Sequence, residues 1–425
     1  MARLGVSMRK MKDSGLDIVG QMPTEWDFIR LRYLCDITTG DSDTQDADPD
    51  GEYPFYVRSP IVERSTKFTF NGEGILMAGD GAGAGRVFHH AFGKYAVHQR
   101  VYRLYNFKVN SNFLFYYISN LFPSVMDKGS AQSTVPSVRL PMLLNFEVCF
   151  PPLAEQQKIA DFLDEKCGEI DSIRSDIQKQ IDILNDYKKS VITEAVTKGL
   201  DPKTKLKGSG IEWIGKIPEG WDVIRLKHAS WLKGRIGWQG LRSEEFIDEG
   251  PYLITGTDFK DGHINWETCV HISEQRFNQD KAIQIKEDDL LITKDGTIGK
   301  LAIVKNCPEK VSLNSGVFII RNNGKYKYND KYMYYVLQSE EFSLWFDLSN
   351  SGNSTIKHLN QEGFYNFAFA YPPLPEQKAI ADYLDEKCSE IDATIADKQR
   401  QLETLDEYKK SLIFEYVTGK KEVLQ

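Results

Sequence analysis

Residues 151–171, PPLAEQQKIADFLDEKCGEID, and residues 372–392, PPLPEQKAIADYLDEKCSEID, align without a gap at a constant offset of 221. The likeness resumes downstream, where Asp186-Tyr187-Lys188-Lys189-Ser190 answers Glu407-Tyr408-Lys409-Lys410-Ser411. Upstream lies a second pair of blocks at an offset of 195: Ser14-Gly15-Leu16, Met22-Pro23 and Trp26 to Leu31 match Ser209-Gly210-Ile211, Ile217-Pro218 and Trp221 to Leu226. The chain is therefore written twice, and such self-similarity constrains the whole architecture. Each copy is a constant lead-in, a variable body and a constant tail, and the second body is longer by 26 residues, the difference between the two offsets.

The tails read as helices. After a Pro-Pro pair that blocks an earlier helical start, Leu163, Ile170, Ile177, Leu184 and Val191 follow at heptad steps, with Ile159, Ile173, Ile181 and Tyr187 on the same stripe. The second tail keeps Leu384, Ile391, Ile395, Leu402, Leu405, Tyr408 and Leu412. About forty residues at ~1.5 Å each make a rod near 60 Å long. Two such rods in one chain pack most simply on each other, and a pseudo-twofold between the copies makes them antiparallel. The expected fold class is α+β: two mixed α/β globules joined by two long helices in an antiparallel coiled coil.

The bodies, 40–150 and 228–371, hold most of the glycines and aromatics and short β-rich runs at Gly74 to Met77, Ala282 to Ile285 and Val317 to Ile320. Short helices are expected at Asn112 to Asn120 and Asp330 to Leu348, and a solvated acidic loop at Asp41 to Gly51. The 425 residues, 41% hydrophobic and 27% charged, exceed the ~150 expected of one domain and argue against global disorder. No run approaches the ~18 apolar residues of a membrane span, and Met1 to Val19 has no apolar signal core, so a cytoplasmic location is expected.

Recognisable catalytic chemistry is missing. The run Gly79 to Arg86 and its counterpart Asp295 to Lys300 fail the phosphate-loop and dinucleotide templates. Each is expected to be a tight turn between strands, with a second reading in which the turn brings Arg86 or Lys300 to nucleic acid. The seven histidines and six cysteines show no metal-ligand spacing; His89-His90 is expected at the surface, and Cys167 and Cys388 as packed thiols. Phe150 and Tyr371 stand where a methyltransferase Asn-Pro-Pro loop would need Asn or Asp.

The layout resembles the specificity subunit of type I restriction-modification enzymes: target-recognition domain, central helix, second target-recognition domain, distal helix. The resemblance rests on P-P-L-x-E-Q-x-x-I-A-x-x-L-D at Pro151 and Pro372, and on P-x-x-W-x-x-x-R-L at Pro23 and Pro218. It rests also on the loops Gly129 to Val135 and Gly352 to Lys357, and on Leu291 to Gly299. It implies domains at 1–152, 153–200, 201–371 and 372–425. It further implies no catalysis by this chain, which reads a bipartite DNA site, one half per recognition domain. Two methylation subunits would carry S-adenosylmethionine and methylate adenine N6; the chain itself binds no cofactor or metal. Restriction subunits join in some systems. The extra residue in the first glycine run, and Pro136 where Lys357 stands, imply different half-sites.

DNA contacts are expected from polar side chains in the glycine-bearing loops. In the first copy these are Arg58, Arg86, Gln99, Arg100, Gln132, Ser133 and Thr134; in the second, Thr255, Thr257, Lys294, Asn314, Asn353, Ser354, Thr355 and Lys357. Protein partners are expected at Pro152, Glu155, Gln156, Pro373, Glu376 and Gln377. The alternative is a coiled-coil scaffold whose two heads bind proteins and read no DNA. The net charge of −8 favours that alternative until it is divided: 151–200 holds 7 basic and 10 acidic residues, and 372–425 holds 8 and 12. The acidity belongs to the helices, and the near-neutral bodies imply modest DNA affinity without help from partners.

Overall fold

The computed structural model describes residues 9–129, 136–236, 240–350 and 358–423. They form two compact units: 1–178 with 399–425, and 179–398. Each unit combines one body with the near half of one long helix and the far half of the other. The central helix spans Leu153–Lys198 and the distal helix Leu374–Val417.

Both units are built on the same plan. The lead-in is a two-stranded ribbon, Met11–Asp13 with Gln21–Pro23 in the first and Leu206–Gly208 with Lys216–Pro218 in the second. The next strand, Asp27–Arg30 or Asp222–Arg225, pairs antiparallel with the last strand before the long helix, Glu147–Phe150 or Ala368–Tyr371. This pairing closes each body. Between lies a four-stranded antiparallel sheet, in the order Asp36–Thr39, Val101–Tyr105, Gly74–Ala78, Phe88–Ala91. The second unit repeats the order with Ser230–Gly234, Val317–Asn322, Leu290–Thr293 and Leu301–Ile303.

The central strands of these sheets are continuous apolar runs because both faces are covered. Ile75 and Met77 face one core while Leu76 faces another; Leu290 and Ile292 are likewise divided from Leu291. A second sheet contains a parallel pair in each unit, Tyr53–Tyr56 with Lys94–Val97 and Tyr252–Ile254 with Val311–Leu313.

The helices enter the cores directly. In the first unit Ile159, Leu163 and Cys167 pack with Leu412, Ile413 and Val417 around Trp26, Tyr117 and Phe146. In the second, Ile380, Leu384 and Cys388 pack with Ile192, Ala195 and Val196 around Trp221, Tyr332 and Phe367. Cross-helix partners run in opposite directions. Asp171 meets Lys409 and Arg174 meets Asp406 in the first unit; Gln180 meets Lys398 and Lys188 meets Asp392 in the second. The expected antiparallel pairing is thus present in each unit.

Several local expectations are corrected. Ala282 to Ile285 is no strand: the Asp280 carboxylate accepts from the Ala282 amide at 2.9 Å and turns Lys281–Ile283 into a 3₁₀ helix. The helix expected at Asp330 to Leu348 is two, Asp330–Val336 and Glu340–Ser349, because Ser339 takes an extended conformation between them. Ile173, Tyr187 and Tyr408 are about half exposed; a two-helix seam has room for two apolar positions in seven, and these fall outside it. His89 and His90 are partly buried, with His90 Nε2 at 2.9 Å from Glu73. Cys167 and Cys388 are packed thiols.

Candidate nucleic-acid interface

In the first unit the glycine run is the turn between Gly74–Ala78 and Phe88–Ala91. Its glycines let two other segments approach. A Cβ on Gly83 would lie 2.5 Å from the Arg58 carbonyl oxygen, and one on Gly79 would lie 2.8 Å from that of Arg100. The segments carrying Arg58 and Arg100 thereby converge on Asp80, whose Oδ1 accepts from Arg58 Nη1 at 2.9 Å and whose Oδ2 lies 3.5 Å from Arg100 Nη1.

Buried His98 fixes this arrangement from behind. Its Nδ1 accepts the Arg100 amide at 3.0 Å, which leaves its proton on Nε2, facing Asp43 at 3.5 Å and Thr44 at 3.4 Å. Burial, and next the Arg58 charge, push the His98 imidazole below its ordinary range and keep it neutral. Gln99 is exposed beside this cluster in the chain. Arg86 goes elsewhere: its guanidinium pairs with Asp127 at 2.5 Å.

In the second unit the corresponding turn carries Lys294 and Asp295. The Lys294 ammonium lies 5.0 Å over the Phe318 ring and 3.9 Å from Asp295, whose other oxygen is 2.9 Å from His358 Nδ1. These residues line a cleft of about 460 Å³ together with Lys233, Arg235 and Gln361. Arg235 is 1% exposed. Its Nε donates to the Leu313 carbonyl and its Nη2 to Ser312, while Nη1 has no hydrogen-bond partner among the described residues.

Other expected contacts are occupied within the chain. Thr255 and Thr257 share a hydroxyl contact of 2.8 Å, and Thr255 also donates to buried Asp258. The Asn314 side chain accepts from the Leu241 amide at 3.1 Å and supports the segment beyond it. Gln132, Ser133, Thr134, Asn353, Ser354, Thr355 and Lys357 lie outside the described residues.

The Pro-Pro-Leu-x-Glu-Gln signatures are joints. Glu155 accepts from the Trp26 indole at 3.0 Å and from both terminal nitrogens of Arg9; Glu376 accepts from Trp221 at 2.9 Å. Gln156 accepts from the Asn110 amide and donates to the Pro151 carbonyl; Gln377 does the same with Asn329 and Pro372. The expectation that Gln156 and Gln377 meet a partner protein is corrected on this point, because both are buried and both amide ends are used internally. Pro152 and Pro373 are exposed beside them.

Asp80, His98, Arg235, Asp295 and His358 were not among the expected site residues. The paired Asp-Gly at 80–81 and 295–296, each following an apolar run, is the sequence signal that points to the two aspartates. Among the described residues no group of three or more His, Cys, Asp or Glu could hold a metal ion, and no helix is long and apolar enough to cross a membrane.

A family model described as "Type I restriction modification DNA specificity domain" matches residues 23–183 and again residues 218–404. The MjaVIII specificity subunit of a type I restriction enzyme from Methanocaldococcus jannaschii is 26% identical over 420 residues, 94% of each chain. The EcoDI specificity subunit of Escherichia coli is 22% identical, over 85% of this chain and 81% of its own. Among solved structures, a chain from work described as "Structural basis underlying complex assembly and conformational transition of the type I R-M system" superposes with a TM-score of 0.64. That superposition covers 94% of this chain and 99% of the other at 16% identity, which shows a shared fold. The family matches fall one on each copy of the internal repeat, and on them the chain belongs to the type I restriction-modification specificity subunits.

Proposed function

We propose that this chain is the DNA sequence-recognition subunit of a type I restriction-modification complex, each unit reading one half of a bipartite site. The observation that carries the reading is the duplication of one turn. The same place in both sheets presents cations, Arg58 and Arg100 in one unit and Lys294 in the other. The cation sets differ, as two readers of unlike half-sites require.

In this reading the chain performs no covalent step. Two methylation subunits hold S-adenosylmethionine and transfer its methyl group to adenine N6, and restriction subunits join where unmethylated DNA is cut. The paired helices set the length of the unread spacer, and their acidity suits protein partners more than phosphate. Pro152, Pro373 and the exposed flanks of the helix starts are the proposed docking points for methylation subunits. Gln99, Thr257 and the polar residues of 132–134 and 353–357 complete the proposed DNA face.

Methylome sequencing of the source cell, with the gene intact and deleted, tests this. A bipartite motif carrying N6-methyladenine is expected to vanish on deletion. An unchanged methylome would overturn the reading.

A further inference from the structure

Asp80 and Asp295 occupy the same place in the two units. Each lies two residues beyond a central strand, Gly74–Ala78 or Leu290–Thr293, and each precedes a glycine with positive φ, 76° at Gly81 and 69° at Gly296. The residue before each aspartate donates its amide to the neighbouring segment, Gly79 to Arg100 and Lys294 to Gly316, both at 2.8 Å. It also accepts from the segment leading to the long helix, from Val138 at 2.8 Å and from Leu359 at 3.2 Å. The backbone frames are thus equivalent, although the surrounding side chains differ.

In each frame the carboxylate sits between basic groups drawn from different parts of the sequence. Asp80 lies between Arg58 and Arg100, and Asp295 between Lys294 and His358. A carboxylate here repels phosphate and weakens attraction to any duplex. What it supplies in return is orientation, since a guanidinium held on a fixed acceptor loses less freedom when it binds than one moving in solvent.

We propose that Asp80 and Asp295 are positioning residues for base readout: each holds the basic side chains of its unit in one orientation, lowering affinity for arbitrary DNA and raising discrimination at its own half-site. The proposal rests on the reading of these turns as DNA-facing. It distinguishes a carboxylate that orients readers from one that is a bystander, because the two make opposite statements about specificity.

The test uses the intact complex with its methylation subunits and the isosteric variants Asp80→Asn and Asp295→Asn. Binding is measured at one fixed salt concentration to a random-sequence duplex and to a duplex carrying the motif found by methylome sequencing. Both variants are expected to bind random duplex more tightly than the wild type. Their ratio of target to random affinity is expected to fall on the order of tenfold, the effect of one well-oriented base contact. Methylated products should show relaxed sequence at the first half-site for Asp80→Asn and at the other half-site for Asp295→Asn. Equal tightening on both duplexes would mark a bystander carboxylate and overturn the proposal. Loss of affinity on both duplexes with a lowered melting temperature would mark a structural role and overturn it too. A wild-type complex that fails to separate target from random duplex would instead overturn the DNA-recognition reading and the proposal with it.

Discussion

Asp171 accepts the Lys409 ammonium at 2.6 Å, and the same pair recurs with its partners exchanged between helices, Lys188 Nζ lying 2.6 Å from Asp392. Asp171 and Asp392 are equivalent by the offset of 221, as are Lys188 and Lys409. Each unit therefore carries one copy of a single antiparallel register mark. Such pairs are half exposed and each contributes about 0.2–1 kcal/mol. A double-mutant cycle of Asp171→Asn and Lys409→Met, followed by urea unfolding, should return a coupling of that size that shrinks in high salt.

The two tryptophan joints are expected to differ in strength. Glu155 is held by Trp26 and by Arg9, whereas no cation among the described residues pairs with Glu376, which accepts from Trp221. Replacing the indole by phenylalanine removes one donor to a carboxylate, about 1.5–3 kcal/mol where nothing else compensates. Trp221→Phe should therefore destabilise its unit more than Trp26→Phe does, measured by denaturant midpoint. Removing Arg9 as well should bring the first joint to the level of the second.

Acid should loosen the first unit. Burial is the largest influence on His89, His90 and His98 and holds all three below the ordinary value of 6.5, against the upward pull of Glu73 on His90 and of Asp43 on His98. The unfolded chain takes up these protons first, so stability rises with pH through this range, is complete above about 6.5 and is lost as pH falls below it. Melting temperature should decline from pH 7 to pH 5.5. His98→Asn, which keeps an acceptor but no titrating ring, should flatten that decline.

Glu341 behaves in the opposite sense. It lies in the first turn of Glu340–Ser349, is 1% exposed, and neither carboxylate oxygen has a hydrogen-bond partner among the described residues. Burial drives its pKa far above the carboxylate range. The folded state keeps the proton that the unfolded chain gives up above about pH 4.5, so the site costs more stability as pH rises. Glu341→Gln should stabilise the protein near neutral pH, with a smaller gain at pH 5. A gain independent of pH would show that this carboxyl does not titrate differently on folding.

Lengthening both helices by four residues adds about one turn, ~5.4 Å. If helix length sets the spacer, methylome sequencing of cells carrying that variant should show the same two half-sites separated by a longer gap. Retention of the original gap would show that the spacer is set elsewhere.

The duplication, the long helices and the strands at Gly74 to Met77 and Val317 to Ile320 were legible because each is a pattern along the chain: a fixed offset, a heptad step, a short β-rich apolar run. The aspartates were not. Asp80 acquires its meaning from Arg58, 22 residues earlier, and Arg100, 20 residues later, and only the sheet brings them together. The same limit affected Gln156 and Gln377. A repeated polar pair at a helix start read as a surface for partners, whereas its amides reach back to Asn110 and Asn329, 46 and 48 residues upstream. Arg235 was missed because a strand-end arginine gives no local sign that two distant groups, the Leu313 carbonyl and the Ser312 hydroxyl, will hold it.

The last helix closes the first unit. Lys420 Nζ donates to the carbonyls of Val19 and Gln21, at 2.6 and 3.2 Å, whereas in the second unit the chain itself runs from the end of the central helix at Lys198 to the ribbon strand at Leu206. One junction is covalent and its counterpart is held by a tether of hydrogen bonds and packing. Damage maps onto such a gene out of order: a stop codon in place of Phe414 leaves the later-written reader, 179–398, whole and strips Val417 and Lys420 from the reader written first.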